Sequence, residues 1–370
     1  MENPVIKKSL EILDLSDSAN GLHAINLMVD LIYQTLQRTP GNPWPIIKRA
    51  SPITTVEENF DLLYFPADNL SRSPIYTRYI DDKKMLRTHT TAQIPEILKE
   101  IKKNDVHNYL VMCPGICFRR DVIDRKHVGE PHQMDIWHIK KGEPRITRDS
   151  LLSMVKQIVN LVYYGAQFRA NEVEHPYTDR GLEVEIMVNG EWLEILECGE
   201  IKTNLLTDSG LDPKEYSGLA MGLGLDRLVM IIKKIDDIRL LRSENPKIKE
   251  QMRNLKIYQP VSKFPAIKQD ISISVSVNQT EEDICEIARE TLQDKIESLE
   301  ELKIISITAY EQLPPQAIER LNIKPGQKNV LLRLIFRSHE KTLLQEEANE
   351  MRDMIYRALD ETEGGGYIKK

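Results

Sequence analysis

The sequence is poor in the features that mark several classes of protein. Its 370 residues contain four cysteines, no CxxC pair and no apolar run of the roughly 18 residues that a membrane-spanning helix requires. A disulfide framework and a transmembrane protein are therefore excluded, and the cysteines are expected to be reduced and buried. The first residues mix acids and bases and show neither a secretory apolar core nor an acid-poor transit peptide, which predicts a cytoplasmic protein.

Bulk positive charge and the common nucleotide-binding loops are also missing. The formal net charge is -7, so any contact with nucleic acid must come from a local basic patch. No GxxxxGK[ST] sequence occurs, which argues against a P-loop. The glycine pair Gly222 and Gly224 is followed by Arg227 where a dinucleotide-binding fingerprint has its third glycine.

What is present predicts an α+β protein of two domains. Alternating or β-branched runs predict strands of an antiparallel sheet over 106–120, 134–140, 182–188 and 191–196. Helical patterns predict flanking helices over 22–37, 90–103, 150–165 and 222–234. Polar residues without a periodic face over 242–262 indicate a linker. The predicted division is a first domain over 1–250, a linker over 251–262 and a second domain over 263–370.

The second domain has a regular order of predicted elements. They are a strand over 271–277, a helix over 280–292, strands over 303–310 and 329–337, a helix over 342–359 and a last strand over 366–368. This β-α-β-β-α-β order is typical of the ferredoxin-like fold.

Basic residues in the first domain point to an anion. Two glycines let a ligand approach the backbone, and Arg227 stands in the first turn of the next helix, where its charge adds to the helix dipole. A glycine turn that only packs the helix on a strand is the alternative. A predicted hairpin adds Arg119 and His127, and together the three cations would clamp a triphosphate. Solvated surface charge is the alternative for Arg119 and the neighbouring Arg120.

The histidines of the first domain leave other interpretations open. His127, His132 and His138 are also explained as ordinary surface or core histidines. A zinc site is a further alternative, although the spacing of its ligands is unlike that of the usual zinc motifs. Its members would be Cys113, Cys117, His127 and His132.

Six ordered segments carry a resemblance to a known family. They are Glu58–Asp61 with Pro66, Asp68 and Arg72; Leu86–Thr91 (LRTHTT); Phe118–Asp135; Phe168–Arg169 with His175–Thr178 (HPYT); Trp192–Gly199 (WLEILECG); and Gly222–Leu228 (GLGLDRL). They resemble the motifs of class II aminoacyl-tRNA synthetases, specifically the compact single-chain phenylalanyl type. Residues 263–270 (KFPAIKQD) resemble the start of that family's ferredoxin-fold anticodon-binding domain. The resemblance covers nearly the whole chain.

The resemblance implies a reaction and a set of site residues. An amino acid would be activated by ATP with Mg²⁺ and transferred to tRNA. The implied catalytic residues are Arg119 at the α-phosphate, His127 at the β/γ side and Arg227 at the γ-phosphate and adenine face. The implied nucleotide contacts also include Asp121 at the adenine amino group, Pro131, Gly222 and Gly224, and Glu194 is the implied metal ligand. The implied amino-acid contacts are His89, Thr91, Gln133, Asp135, His175, Tyr177 and Ala220.

Departures from the family pattern concern the amino acid and ATP. Where the family has two phenylalanines against the substrate ring, this chain has His175 and Tyr177. Buried polar groups penalise a ligand that does not pair with them, which gives the hypothesis of a substrate other than, or besides, phenylalanine. The alternative is that both side chains stack as aromatics and phenylalanine still binds. Pro131 replaces an aromatic residue that stacks on adenine, which predicts weaker ATP binding.

The charge of the second domain bears on its partner. Residues 260–370 contain 15 basic and 20 acidic side chains, a net charge of -5, which is unfavourable for RNA binding. A basic stripe is predicted from Lys263, Lys268, Arg333, Arg337 and Lys341, with a solvated sheet face as the alternative. Two other functions therefore stay open: an adenylate-forming enzyme with a non-tRNA acceptor, and a non-catalytic RNA-binding module. A monomer or a homodimer is expected.

Overall fold

The structure is a computed structural model that describes residues 4–261 and 264–360. The described chain divides into two compact units. The first unit contains the residues up to Arg119 together with Glu130–Asp236 and Glu250–Tyr258. The second unit contains Arg120–Gly129, Asp237–Lys249 and the residues from Gln259 onwards.

The first unit is built on a large, mostly antiparallel sheet. Its described strands are β1 (Ile46–Ile47), β2 (Ile53–Thr55), β3 (Lys84–Leu86), β4 (Asn108–Ile116), β5 (His132–Lys141), β6 (Phe168–Glu172), β7 (Thr178–Val188), β8 (Glu191–Ile201) and β9 (Tyr216–Gly224). Seven of them form one sheet in the order β1-β4-β5-β9-β8-β7-β6, and β2 pairs with β3. Strands β4, β5 and β9 are buried along most of their length, and β4 and β9 accordingly consist mainly of apolar and small residues.

Helices of the first unit cover this sheet. They are α1 (Pro4–Leu10), α2 (Ala24–Gln37), α3 (Val56–Asn59), α4 (Ile94–Lys103), α5 (Arg148–Val162), α6 (Thr203–Asp208) and α7 (Leu225–Lys233). Helix α2 begins after His23, because the His23 imidazole accepts a hydrogen bond from the Ile25 amide at 3.1 Å and caps the helix. Helices α2, α5 and α7 pack together and bury their apolar stripes, among them Ile32, Leu36 and Ile158.

The described part of the second unit contains the predicted elements in order, with an additional helix over Pro315–Leu321 between the second and third strands. After α8 (Pro246–Gln251), which ends in residues of the first unit, come β10 (Ile267–Ser276), α9 (Glu281–Leu292), β11 (Leu299–Ala309), α10 (Pro315–Leu321), β12 (Gln327–Phe336) and α11 (Gln345–Leu359). The three strands form an antiparallel sheet in the order β10-β12-β11. Its core includes Ile273, Leu332 and Ile355. The last predicted strand, over 366–368, lies outside the described residues, as does Lys263.

A loop that precedes β5 in sequence folds with the second unit. Ile123 is buried in the apolar core of that unit, and its carbonyl accepts a hydrogen bond from the Leu302 amide at 3.0 Å. Arg289 donates to the Val122 carbonyl at 3.0 Å, and the Arg125 guanidinium lies 2.9 Å from the Glu300 carboxylate. Residues 120–129 are therefore structurally part of the second unit.

Several predicted bounds differ from the structure. The strand predicted over 106–120 ends at Ile116. The Cys117 amide still bonds to the Pro131 carbonyl in the register of the ladder, but proline has no N–H to return a bond, and the Phe118 amide bonds to the Arg87 carbonyl. Gly222 and Gly224 do not form a turn; they are the end of strand β9, and α7 starts at Leu225.

The segment predicted as a linker is partly ordered against the first unit. The ammonium group of Lys233 is buried and donates to the carbonyls of Gln251, Asn254 and Lys256 at 2.8–2.9 Å. Met252 is buried as well. The apolar residues of this stretch are too sparse to form a periodic pattern. Its packing against the first unit is therefore not predicted from the sequence. In the described residues, no helix is both long and apolar enough to cross a membrane.

Candidate active site

One face of the large sheet carries a trough along strand β9. Alternate residues of this strand point to the same face and are all small: Gly218, Ala220, Gly222 and Gly224. A Cβ atom built on Gly222 would meet no atom within 4 Å, so the trough is open at this position. In the sheet register Gly222 is paired with Asp135 of β5 on one side and with Glu197 of β8 on the other. Two carboxylates therefore flank the open trough.

The carboxylate of Asp135 is held by the protein itself. It accepts hydrogen bonds from the hydroxyls of Thr90 at 2.6 Å and Thr91 at 2.9 Å and from the Trp137 indole at 3.0 Å. Burial raises the pKa of Asp135, and these donors act in the opposite direction. Three donors thus fix both oxygens of this carboxylate at the trough.

Aromatic rings form one wall of the site. Tyr177 stacks on Trp137 with ring centroids 5.9 Å apart and lies 6.2 Å from the Phe65 ring. Phe65 in turn stacks on His89 at 5.3 Å. Rings at these separations make favourable contacts and leave an apolar surface beside the two carboxylates. The arrangement fits an amino acid with an aromatic side chain.

His89 is uncharged and has an unused ring nitrogen. Burial, together with the guanidinium groups of Arg119 and Arg87, lowers the pKa of His89 to about 3. Among the described residues, its Nδ1 atom is buried without a hydrogen-bond partner, and its Nε2 atom lies 3.5 Å from the side-chain amide nitrogen of Asn59. An orphaned buried polar atom is costly, so a bound ligand is the natural partner for Nδ1.

The polar atoms of His175 and Tyr177 differ in how they are paired. His175 Nδ1 lies 3.0 Å from the Thr178 hydroxyl, and Thr91 is a hydrogen-bond partner of the Tyr177 hydroxyl. His175 Nε2 lies 3.2 Å from the Glu197 carboxylate, but in the described residues it makes no hydrogen bond of acceptable geometry. The hypothesis of a substrate other than, or besides, phenylalanine therefore stays a prediction. The two rings stack with centroids 6.2 Å apart, as in the aromatic alternative.

Both predicted arginines of the first unit lie beside carboxylates of β8. Arg119 donates through Nε to the Thr88 carbonyl at 2.8 Å, and its charge helps to lower the pKa of Glu197. Arg227, in the first turn of α7, donates to the Glu194 carbonyl at 2.9 Å and lies 3.3 Å from the Glu194 carboxylate. Burial raises the pKa of Glu194, against the effect of Arg227. The structure thus associates two of the three predicted cations with one strand.

The remaining nucleotide-binding candidates are divided between the two units. Asp121 and His127 belong to the second unit, where His127 Nδ1 lies 2.8 Å from the Asp124 carboxylate. Pro131 precedes β5, and its carbonyl accepts from the Cys117 amide at 2.8 Å. Gln133 is paired with Gly224 in the sheet register. The joint action of three cations on one nucleotide therefore stays a prediction.

The described residues contain no group of three or more His, Cys, Asp or Glu side chains that could hold a metal ion. The zinc alternative gains no support: His132 accepts from the Leu15 amide at 3.0 Å and lies 3.3 Å from Asp226. Burial raises the pKa of the Cys113 and Cys117 thiols, which disfavours the thiolates that zinc needs. Glu194 offers a single carboxylate.

The predicted basic stripe of the second unit is largely neutralised. Asp270 binds Arg333 through two bonds of 2.8 Å, one to each carboxylate oxygen. Arg337 pairs with Glu300, and Lys341 pairs with Glu347. Three of the four stripe residues that the structure describes are therefore engaged by acids, and the solvated-sheet alternative describes them better.

Sequence analysis did not select several side chains that line the site. They are Phe65, Thr90, Trp137 and Glu197. Trp137 lies two residues after Asp135, and Glu197 lies two residues before Gly199, so strand alternation alone places them on the face of the trough. Phe65 and Thr90 have no such signal, because they reach the site through irregular segments.

Comparison with known proteins gives two family matches. The tRNA synthetases class II core domain (F) matches residues 16–252, and the ferredoxin-fold anticodon-binding domain matches residues 262–365. The chain is 29% identical over 345 residues to the chloroplastic/mitochondrial phenylalanine–tRNA ligase of Arabidopsis thaliana, a match that covers 90% of this chain and 75% of that protein. It is 30% identical over 365 residues to the mitochondrial phenylalanine–tRNA ligase of Mus musculus, with 88% and 75% covered. It is 31% identical over 193 residues to the phenylalanine–tRNA ligase alpha subunit of Nostoc punctiforme, with 52% and 56% covered.

The prediction of a cytoplasmic protein is wrong by this comparison. The relatives from Arabidopsis thaliana and Mus musculus are chloroplastic or mitochondrial by name, as is the relative from Saccharomyces cerevisiae. The mixed charge of a short N-terminal stretch is a weak indicator of compartment.

Proposed function

This chain belongs to the class II tRNA synthetases, with a core domain of that family and a ferredoxin-fold anticodon-binding domain, and we propose that it joins phenylalanine to tRNA at the expense of ATP. The observation that carries the proposal is the combined match of both domains in one chain to phenylalanine–tRNA ligases. The aromatic wall beside two carboxylates supports it.

The reaction runs in two steps. A carboxylate oxygen of phenylalanine attacks the α-phosphorus of ATP, the bond from that phosphorus to the bridging β-oxygen breaks, and pyrophosphate leaves. A hydroxyl at the tRNA 3′ end then attacks the carbonyl carbon of the adenylate, and AMP leaves. The protein supplies no nucleophile, so its contribution is positioning and stabilisation of negative charge.

We assign the nucleotide to the arginines and glycines beside the trough. Arg119 binds the α-phosphate, where the charge of the transition state develops, and Arg227 binds the γ-phosphate and covers the adenine. Gly222 and Gly224 leave the backbone of β9 open to the ligand, as the space above Gly222 supports. On the resemblance alone, His127 binds the β/γ side, Asp121 binds the adenine amino group and Pro131 lies against the base.

We assign the amino acid to the aromatic wall and its polar neighbours. Tyr177 and His175 contact the phenyl ring, and Ala220 lies at its end in the trough. His89 contributes a neutral nitrogen, because its pKa of about 3 leaves the ring uncharged near pH 7. Thr91, Gln133 and Asp135 complete the pocket, with Asp135 orienting the Thr91 hydroxyl through their 2.9 Å hydrogen bond.

Magnesium is assigned to Glu194 with the phosphates of ATP. A single carboxylate suits Mg²⁺, which usually keeps waters and substrate phosphates as its other ligands. When bound, the ion neutralises phosphate charge.

Charging of tRNA tests the proposal. The purified chain, incubated with ATP, labelled phenylalanine and total tRNA, is expected to form aminoacyl-tRNA and to catalyse ATP–pyrophosphate exchange without tRNA. Exchange without charging would point instead to a non-tRNA acceptor. Binding of tRNA without exchange would point to a non-catalytic module, and either result contradicts the proposal.

The oligomeric state is part of the proposal. We propose a monomer or a homodimer, and light scattering on the purified chain measures the mass. A requirement for a second kind of subunit, which the name of the Nostoc punctiforme relative indicates for that protein, would contradict it.

A further inference from the structure

Glu197 occupies a distinctive place at the trough. It faces Gly222 across the sheet, at the position where a Cβ on Gly222 would meet no atom within 4 Å. Neighbouring strands lie roughly 5 Å apart, so the carboxylate stands directly beside the open space. On the opposite side of the same trough lies Asp135.

Of these two carboxylates, Glu197 is the more accessible to a ligand. Asp135 is 4% exposed and accepts from two hydroxyls and an indole. The Glu197 side chain is 44% exposed, and its contact in the protein is with His175 through Oε2. The contact with His175 and the charge of Arg119 lower the pKa of Glu197, so this carboxylate is ionised near pH 7.

Other acids on β8 are less suited to bind a cationic group of the substrate. Glu194 is already paired with Arg227 at 3.3 Å, and burial raises its pKa. Glu183 is the register partner of Glu197 on β7, one strand further from Gly222.

From this geometry we infer that Glu197 binds the α-ammonium group of the amino acid, and that His175 is the positioning residue that fixes its carboxylate. The inference rests on the proposed function, since the ligand is the amino acid that the enzyme activates. His175 is suited to the task because it is held from both sides: Thr178 contacts Nδ1 at 3.0 Å, and the Tyr177 ring stacks on the imidazole. A Cβ on Gly181 would lie 2.7 Å from His175 Nδ1, so this glycine makes room for the ring.

Binding of two partial analogues of phenylalanine to the full chain tests the assignment. L-Phenylalaninol has the ammonium group without the carboxylate, and 3-phenylpropanoate has the carboxylate without the ammonium group. Titration calorimetry on Glu197→Gln is expected to show phenylalaninol binding weakened by about tenfold to a hundredfold, the usual range for a hydrogen bond to a charged group. Affinity for 3-phenylpropanoate is expected to stay within about twofold, as it makes no such bond.

Variants of His175 test whether this residue positions Glu197 or only maintains the shape of the pocket. His175→Phe keeps an aromatic ring against the phenyl group and removes the contact to Glu197, so phenylalaninol binding should fall by a larger factor than 3-phenylpropanoate binding. His175→Gln retains a donor and should recover part of the lost affinity. The matched control is Glu185→Gln, at a carboxylate that pairs with Arg169 away from the trough.

Three results would overturn the inference. If Glu197→Gln weakens the binding of both analogues equally, the substitution disturbs the whole pocket and not an ammonium contact. A change confined to the KM for ATP would place Glu197 at the nucleotide. If the wild-type chain binds neither analogue and shows no ATP–pyrophosphate exchange, both the proposed function and the assignment of Glu197 are wrong. If the wild-type chain shows normal exchange and Glu197→Gln gives either of the first two results, only the assignment of Glu197 is wrong.

Discussion

The uncharged state of His89 has a consequence for stability at low pH. A histidine has a pKa near 6.5 in an unfolded chain, and in the folded protein that of His89 is lowered to about 3. Between these values the unfolded state binds the additional proton, so this histidine makes the folded state less stable as the pH falls from 6.5 towards 3.

Replacement of His89 should therefore reduce the amount by which the free energy of unfolding falls at acid pH. Relative to His89→Gln, the wild-type protein is expected to lose up to about 1.4 kcal/mol of unfolding free energy per pH unit between pH 6 and 4. Urea unfolding at several pH values measures this difference. His107→Gln, at an exposed histidine, is the control, and a constant difference between wild type and His89→Gln would show that His89 is not buried in its neutral form.

Arg227 gives the second prediction at this scale. Its guanidinium lies between the start of α7 and the Glu194 carbonyl, 2.9 Å from that oxygen. If it stabilises phosphate charge in the transition state, Arg227→Ala should raise the barrier to adenylate formation by at least about 3 kcal/mol. Pyrophosphate exchange measures the effect, with Arg169→Ala at the exposed side of β6 as the control. An alanine variant with nearly normal exchange would show that the assigned role is wrong.

At the scale of elements, substitutions at two glycines of β9 are expected to have different effects, one on activity and the other on stability. Gly222 faces open space, whereas a Cβ on Gly218 would lie 2.5 Å from the Ile201 side chain and 2.7 Å from the His138 carbonyl. The free energy of unfolding of Gly222→Val should not fall, since valine suits a strand better than glycine does. Its exchange activity should fall by at least about tenfold, because the valine side chain fills the trough.

The matched variant Gly218→Ala should behave in the opposite way. Overpacking is expected to lower the free energy of unfolding by about 1–3 kcal/mol, with activity retained in the folded fraction. Thermal melts and exchange assays on both variants measure the contrast. Loss of stability in Gly222→Val, or full activity in that variant, would mean that the trough does not hold the ligand.

The elements differ in how far the sequence predicts them. The β-α-β-β-α elements of the second unit follow from local alternation and helical periodicity. The structure contains them in that order, with the short helix α10, which the sequence analysis did not predict, between β11 and β12. The end of β4 at Ile116 does not follow, because it depends on which residue of β5 or its flank lies opposite. Cys117 lies opposite Pro131, which has no N–H for the ladder, and Phe118 bonds to Arg87. Local patterns carry no information about such partners.

The candidate site shows the same limit. His89, Asp135, Arg119 and Arg227 are named from motifs, and the structure places them in the first unit with carboxylates or aromatic rings as neighbours. The role of Glu197 is not visible in a motif, because it arises from the register that sets it opposite Gly222. The 3.2 Å distance between His175 Nε2 and the Glu197 carboxylate likewise depends on a contact between residues that are distant in sequence.

At the scale of the whole molecule, the charge of the second unit is the feature that bears on tRNA. Arg333 is neutralised by Asp270 through two bonds of 2.8 Å on the surface of the sheet. Asp270→Asn removes this acid and leaves Arg333 available to a phosphate. Affinity for tRNA is expected to rise, and the slope of log K against log salt is expected to steepen by about one unit or slightly less.

Filter binding at several salt concentrations measures both quantities. Asp353→Asn, which alters an acid paired with Arg352 on α11, is the control. An unchanged slope in Asp270→Asn would show that the open face of this sheet does not contact the RNA backbone.

The central claim is that this chain activates phenylalanine. The amino-acid profile of ATP–pyrophosphate exchange tests it most directly: each of the twenty amino acids is supplied singly to the purified chain with ATP, Mg²⁺ and labelled pyrophosphate. We predict exchange with phenylalanine as the best substrate, because the rings of Trp137, Tyr177 and Phe65 form an aromatic wall that suits a phenyl side chain. Exchange with another amino acid in preference to phenylalanine, or with none, would contradict the account.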